Sequence, residues 1–214
     1  QFIIKTGSPM FEILKNSRSR IDKSNIIEEL DLKANNYFLT SIHREENIDN
    51  EKNFNKILNT LNNLVDFYNM PIIFSTHPRT RKKLEKSKIK LSSKIKIIKP
   101  LSFTEYNKLQ THAKAVLSDS GTINEESSIL NFHALNIRET HERPEAMEEG
   151  SVMMTGFDFK KVIDCINILE NQKRGELRTL DIVDDYMVDN VSEKIIRIIF
   201  SYTDYVNKFV WKKN

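Results

Sequence analysis

The chain has 214 residues and a single cysteine, Cys165. One thiol excludes an internal disulfide and points to a reducing, cytoplasmic compartment. Cys165 lies in the apolar stretch VIDCINIL and reads as plain core. No run of 18 apolar residues occurs, which excludes a membrane-spanning helix. Glycine and proline are scarce, at five residues each, too few for a flexible linker or a low-complexity tract. No two of the five histidines stand four residues apart and no second cysteine exists, so no metal site is expected. The elbow G-x-S-x-G and the phosphate-loop pattern are both missing. The opening residues QFIIKTGSP lack the layout of a signal peptide. They start in a β-prone run and read as a break inside a larger protein.

What is present is an ordinary globular composition, 39% apolar and 29% charged, with a net charge of +3. The most basic run is RTRKKLEKSKIK, residues 79–90. It reads as a solvated helix face. A nucleic-acid stripe would interleave aromatics, and here a glutamate interrupts instead, so no nucleic-acid partner is expected.

Short apolar runs with strand character recur at 37–42, 72–75, 94–98, 114–117, 133–137 and 151–155. Helix-period stretches lie between and after them, at 51–68, 103–112, 159–170 and 190–210. In the first, Phe54, Ile57, Leu58, Leu61, Leu64 and Val65 recur at three- and four-residue steps. This alternation predicts an α/β fold, one Rossmann-like parallel sheet with helices on both faces. In such a sheet, ligands sit beyond the carboxyl ends of the strands. The residues just after each predicted strand are rich in charge and hydrogen-bonding groups: HREEN from His43, HPR from His77, PLSF from Pro100, SDSGTINEE from Ser118, and RETHERPE from Arg138.

SDSGTINEE follows the apolar run Ala115-Val116-Leu117 and opens a helix. Ser118, Asp119 and Ser120 are candidates to cap it, and Gly121 lets a ligand approach the backbone. The free amides and the helix dipole favour a phosphate. Glu125 and Glu126, one turn in, suit the paired hydroxyls of a ribose. Together they fit a nucleoside diphosphate. The plainer alternative is a capped helix with two exposed glutamates. In HREEN, Arg44 can grip a phosphate with two parallel hydrogen bonds, or belong to a surface ion-pair loop. His77 before Pro78 suits a helix cap. In HERPE, Arg143 is bracketed by Glu142 and Glu145, either as a salt-bridge knot or reaching a ligand.

Six motifs in order, T-G-S-P, S-I-H-R-E-E-N, T-H-P-R, K-P-L-S-F-T-E-Y, S-D-S-G-T-I-N-E-E and I-R-E-T-H-E-R-P-E-A-M-E-E-G, resemble the non-hydrolysing UDP-N-acetylglucosamine 2-epimerases, in their C-terminal domain. The resemblance covers nearly the whole chain. The end of the chain, N-V-S-E-K-I-I-R-I-I-F-S-Y-T-D-Y-V-N, is similar to the subgroup that makes UDP-N-acetyl-L-fucosamine, so the sugar stays open between the two. The resemblance implies the C-terminal half of a GT-B-type two-domain enzyme, whose segment 190–214 returns to pack on an N-terminal domain, and a homodimer at full length. It implies a UDP-sugar substrate for capsule or O-antigen synthesis and no cofactor.

By the same resemblance, Ser120 and Gly121 hold the diphosphate, Glu126 the ribose, and Tyr106 lies against the uracil. His43, the catalytic candidate, and Arg44 lie near the phosphates, and Arg143 lines the cleft. His77 matches a position near a second, regulatory nucleotide-sugar site. Thr122 departs from the family, which has a second glycine there. The implied reaction eliminates UDP to leave a glycal, then adds it back after reprotonation at C2 from the other face. The carboxylates that handle the proton would lie in the N-terminal domain. Two other readings remain, a glycosyltransferase of the same architecture and a UDP-binding module without activity of its own.

Overall fold

The computed structural model describes residues 3–140 and 143–213. His141 and Glu142 lie outside the described residues. Helices α1 (Met10–Asp22) and α2 (Ile26–Glu29) lead into strand β1 (Phe38–Ser41). Short α3 (Glu45–Ile48) and long α4 (Glu51–Tyr68) follow, then β2 (Ile72–Ser75), α5 (Pro78–Lys86), β3 (Ile95–Ile98) and α6 (Phe103–His112). Next come β4 (Ala115–Ser118), α7 (Ile123–Leu130), β5 (Ala134–Asn136), α8 (Glu145–Glu148), β6 (Met153–Met154) and α9 (Phe159–Glu170). A 3₁₀ turn (Asp184–Tyr186) precedes α10 (Val191–Tyr205), whose last turn widens into a π-helix (Val206–Val210).

The six strands form one sheet in the order β3-β2-β1-β4-β5-β6, every pair parallel. Successive side chains alternate between its faces. Phe38, Ile72, Phe74, Leu117 and Leu135 meet α4 and α9 on one face. Leu39, Ile73, Val116 and Ala134 meet α1, α2, α6 and α7 on the other. The apolar stripe of α4 is wholly buried, each such side chain contributing roughly 1.5–3 kcal/mol. Cys165 is buried among the residues under α9.

The helix ends follow from local chemistry. The Asn50 side chain caps α4, and Asn69 closes it in a left-handed conformation. Ser102 and Glu105 form a reciprocal capping box that starts α6. Asp158 caps α9. Strand order reverses direction between β1 and β4, so the cleft expected of this fold opens beyond Ser41 and Ser118. α10 departs from the pattern. Its periodicity puts Val191, Ile195, Ile198 and Ile199 on one apolar face, and of these only Val191 is buried.

Candidate functional site

Ser41 and Ser118, register partners at the ends of β1 and β4, bring their hydroxyls within 3.1 Å. Tyr106 of α6 donates to Ser41 Oγ at 3.0 Å, which ties the helix to the strand ends. Burial pushes the Tyr106 phenol above its ordinary value, so it stays protonated as a donor. One turn further along α6, Gln110 Nε2 donates to Glu126 Oε2 at 2.8 Å.

Asp119 does not cap α7. It is fully buried and accepts the main-chain amides of His43 and Arg44 and the Asn47 side-chain amide, all at 3.0–3.1 Å. The His43 ring nitrogen Nδ1 stands 3.2 Å from the same carboxylate. Asp119 therefore carries the HREEN segment, whose second half is helical as α3, and fixes the orientation of the His43 ring. α7 begins with no side-chain cap, which leaves its first amides and dipole unanswered by a capping group.

The loop ahead of α7 is partly self-satisfied. The Ser120 amide donates to Ser118 Oγ at 3.1 Å, which corrects the expectation that it is open to a ligand. The Ser120 and Thr122 hydroxyls stand 3.0 Å apart. Thr122 thus occupies the departure from the family pattern with a hydroxyl beside that of Ser120. Gly121 is not among the residues with positive φ, so what it contributes is the missing side chain rather than an unusual backbone.

Glu125 and Glu126 are buried, at 5% and 7% exposure, which rules out the capped helix with two exposed glutamates. Burial pushes Glu126 up to about 7, against opposing hydrogen bonds from Gln110 and Thr122. Glu125 accepts from Ser8 Oγ at 2.7 Å, and Arg143 stands 3.8 Å away. The T-G-S-P segment and the HERPE segment therefore meet at Glu125.

His43, His77 and Tyr106 line one cleft of about 430 Å³, together with Ser75, Pro100 and Leu101. The volume leaves room for a planar ring beside Tyr106. His77 also caps α5, its Nδ1 accepting from the Arg79 amide at 3.4 Å, as its place before a proline suggested. Arg143 lines a separate hollow of about 310 Å³ with Lys5, Ser8 and Glu125. Arg44 lines neither, and it is its amide that Asp119 holds. Ser120, Gly121 and Glu126 line neither hollow; the first two precede α7 and Glu126 lies in its first turn. A groove of about 730 Å³ at the ends of β5 and β6 takes in Arg138 and Glu139 of the RETHERPE stretch, but none of the residues expected to hold the nucleotide. Among the described residues, no three acidic, histidine or cysteine side chains gather where they could hold a metal ion.

Sequence reasoning missed Asp119 as the organiser, and with it Ser41, Asn47 and Gln110. Asn47 and Gln110 offered one signal: both are amides on helical segments that fold inward.

A family model described as UDP-N-acetylglucosamine 2-epimerase matches residues 1–200. A UDP-N-acetylglucosamine 2-epimerase of Methanocaldococcus jannaschii is 38% identical over 143 residues, 65% of this chain and 39% of that protein. The solved structure of UDP-N-acetylglucosamine 2-epimerase from Rickettsia bellii superposes with a TM-score of 0.85 at 44% identity, covering 97% of this chain and 56% of that one. The M. jannaschii UDP-GlcNAc 2-epimerase, solved in complex with UDP-GlcNAc and UDP, gives 0.80 at 30% identity, covering 92% of this chain and 54% of that one. This chain spans about half the length of the relatives it matches. With its doubly wound sheet, its motifs and these matches in agreement, the chain belongs to the UDP-N-acetylglucosamine 2-epimerase family.

Proposed function

We propose that this chain is the UDP-binding half of a UDP-N-acetylhexosamine 2-epimerase, with UDP-N-acetylglucosamine as substrate and UDP-N-acetylmannosamine as product. The observation that carries the reading is Glu126, buried one turn behind the uncapped start of α7 and joined through Gln110 to the helix that carries Tyr106. That arrangement offers an anion the helix terminus, a diol a carboxylate, and a flat base an aromatic wall. The diphosphate sits at Gly121 and the Ser120 and Thr122 hydroxyls, the ribose at Glu126, and the uracil against Tyr106.

In the reaction, C2 loses its proton and the C1–O bond breaks, the electron pair leaving on the UDP oxygen while a C1=C2 bond forms. The helix terminus and the His43 and Arg44 region stabilise that developing charge. Arg143, 3.8 Å from Glu125, reaches the same ligand, and His77 serves a second, regulatory nucleotide-sugar. Re-addition returns the electron pair to C1 and a proton to the opposite face of C2. The groups that move the C2 proton belong to a preceding domain, on which α10 packs. The full-length protein is a cytoplasmic homodimer on this reading.

Calorimetry of UDP with the chain tests the binding role; well-folded chain that takes up no UDP would overturn it. For the longer protein, incorporation of deuterium at C2 of UDP-N-acetylglucosamine in heavy water is expected. Sugar transfer to an acceptor without that exchange would favour a glycosyltransferase instead. Turnover of a 6-deoxy UDP-sugar alone would place it with the L-fucosamine-forming enzymes that its C-terminus resembles.

A further inference from the structure

Between Arg79 and Lys99 the chain places ten of its 33 basic residues and one of its 30 acidic residues, Glu85. The other 23 basic residues are set against 29 acidic ones, so the rest of the chain is net negative. The structure gathers this stretch at one margin of the molecule. β3 is the outermost strand, paired with β2, and α5 with its following loop makes the connection between them.

The stretch is held in place rather than hanging free. Leu84, Ile89 and Leu91 pack on the core under α4, and the Asn62 side chain bonds the loop at Lys90 O and the Ser92 amide, both at 2.9 Å. With the apolar side chains turned in, Lys82, Lys86, Lys88 and Lys90 are exposed, as are Lys96 on β3 and Lys94 and Lys99 at its ends. Among the described residues, the ion pairs of this stretch are those of Arg79 with Glu45 and Asp49. Lys94 and Lys96 donate to the peptide oxygens of Asn69 and Leu30, which leaves their charge uncompensated. Lysines on an edge strand also discourage strand-to-strand pairing. That accounts for Lys96 on β3 and for Lys94 and Lys99 at its ends, but not for those on α5 and its loop.

We propose that this basic margin is a docking surface for an anionic phospholipid bilayer. Eight of the ten bases are lysine, and one of the two arginines is already paired. Hydrated point charges spread over a margin suit the diffuse field of anionic headgroups. Nucleic-acid surfaces rely instead on arginine forks and stacked aromatics, and residues 79–99 contain no aromatic. Ile97, 42% exposed between Lys96 and Lys99, supplies an apolar contact at the same margin. No helix among the described residues is long and apolar enough to cross a membrane, so the attachment is peripheral and salt-sensitive. The proposal stands independently of UDP binding.

The test is flotation of the chain with phosphatidylcholine vesicles, with and without phosphatidylglycerol. Binding is expected with phosphatidylglycerol at low salt and release at high salt. The triple variant Lys82→Glu, Lys86→Glu, Lys88→Glu should bind about tenfold more weakly or worse, given the contribution of each surface lysine. A control carrying Lys160→Glu, Lys161→Glu and Lys173→Glu should still float, and circular dichroism checks that both variants fold. Four results would overturn the proposal: no flotation with phosphatidylglycerol, equal flotation with phosphatidylcholine alone, equal loss in the control, or displacement from vesicles by a tighter-binding RNA oligonucleotide.

Discussion

The carboxylate of Asp119 accepts the His43 amide at 3.1 Å and stands 3.2 Å from Nδ1 of the same residue. One buried charge thus sets both the backbone and the ring of His43. A neutral imidazole that donates from Nδ1 presents Nε2 as an acceptor. The same carboxylate holds the Arg44 amide and Asn47, so the first loop of the cleft is fastened to the residue that follows β4.

Replacing Asp119 by alanine should therefore cost more than one contact. It strands two main-chain amides and the Asn47 side chain around a buried site. The expected loss is about 2–3 kcal/mol of stability, read from the urea midpoint. UDP affinity should fall with it, because the His43 loop loses its anchor. An unchanged midpoint would show that the loop is held by something else.

Glu126 makes stability and binding depend on pH in opposite ways. Its ordinary value is 4.5 and burial raises it to about 7 in the folded chain. The folded state therefore favours the protonated acid. Stability is full below 4.5 and declines as pH rises towards 7, by a total on the order of 3 kcal/mol. Glu126→Gln should flatten that decline, measured by thermal melts across the range. A ribose diol donates to the ionised form, so UDP should bind more tightly as pH rises through 7, with proton release on binding. Calorimetry in two buffers of different ionisation enthalpy reads that release. Glu126→Ala should weaken UDP by about 1–3 kcal/mol, and an unchanged affinity would remove the ribose role.

The architecture was legible in the sequence because a parallel sheet writes itself as short apolar runs separated by helical periods. All six strands appear, with β6 reduced to Met153–Met154, and α4, α6 and α9 fall where their spacing put them. α1 was not foreseen. Its buried side chains are Leu14, Ser17 and Ile21, too thin a stripe to stand out from a polar loop. At the site, the sequence located the loops but not their wiring. Asp119 meets partners 72 to 76 residues away, and Gln110 reaches Glu126 from another helix. Such pairs leave no periodic trace. The burial of Glu125 and Glu126 was equally invisible, since two adjacent glutamates near a helix start usually face water.

Gly7 carries a further constraint. Its φ is +87°, and a Cβ placed on it would come within 2.8 Å of Val188 Cγ2. Its neighbour Ser8 bonds Asp185 O through its amide and Glu125 through its hydroxyl. Gly7→Ala should destabilise the chain by about 1–3 kcal/mol, from backbone strain and overpacking together. Adding Val188→Ala removes the 2.8 Å clash but not the Cβ at 3.0 Å, so it should recover part of the overpacking and leave the strain, seen as a partial return of the melting temperature. Full tolerance of the alanine would show that the segment can shift without loss.

On α10, Ile196, Ile199 and Phe200 are 57%, 56% and 82% exposed. They fall at three- and four-residue steps, so they share a side of the helix, and Tyr202 and Tyr205 continue the apolar exposure. A surface of this kind is rarely left bare in solution. The chain should therefore self-associate in a concentration-dependent way, seen as a rising sedimentation coefficient. Ile196→Ser with Phe200→Ser should return it to a monomer with little change in melting temperature, because neither side chain contributes to the core. A wild-type chain that stays monomeric at high concentration would mean that this face needs no cover. In that event the case for its packing on a preceding domain would lose its physical basis, since the same exposed apolar area is what would drive both associations.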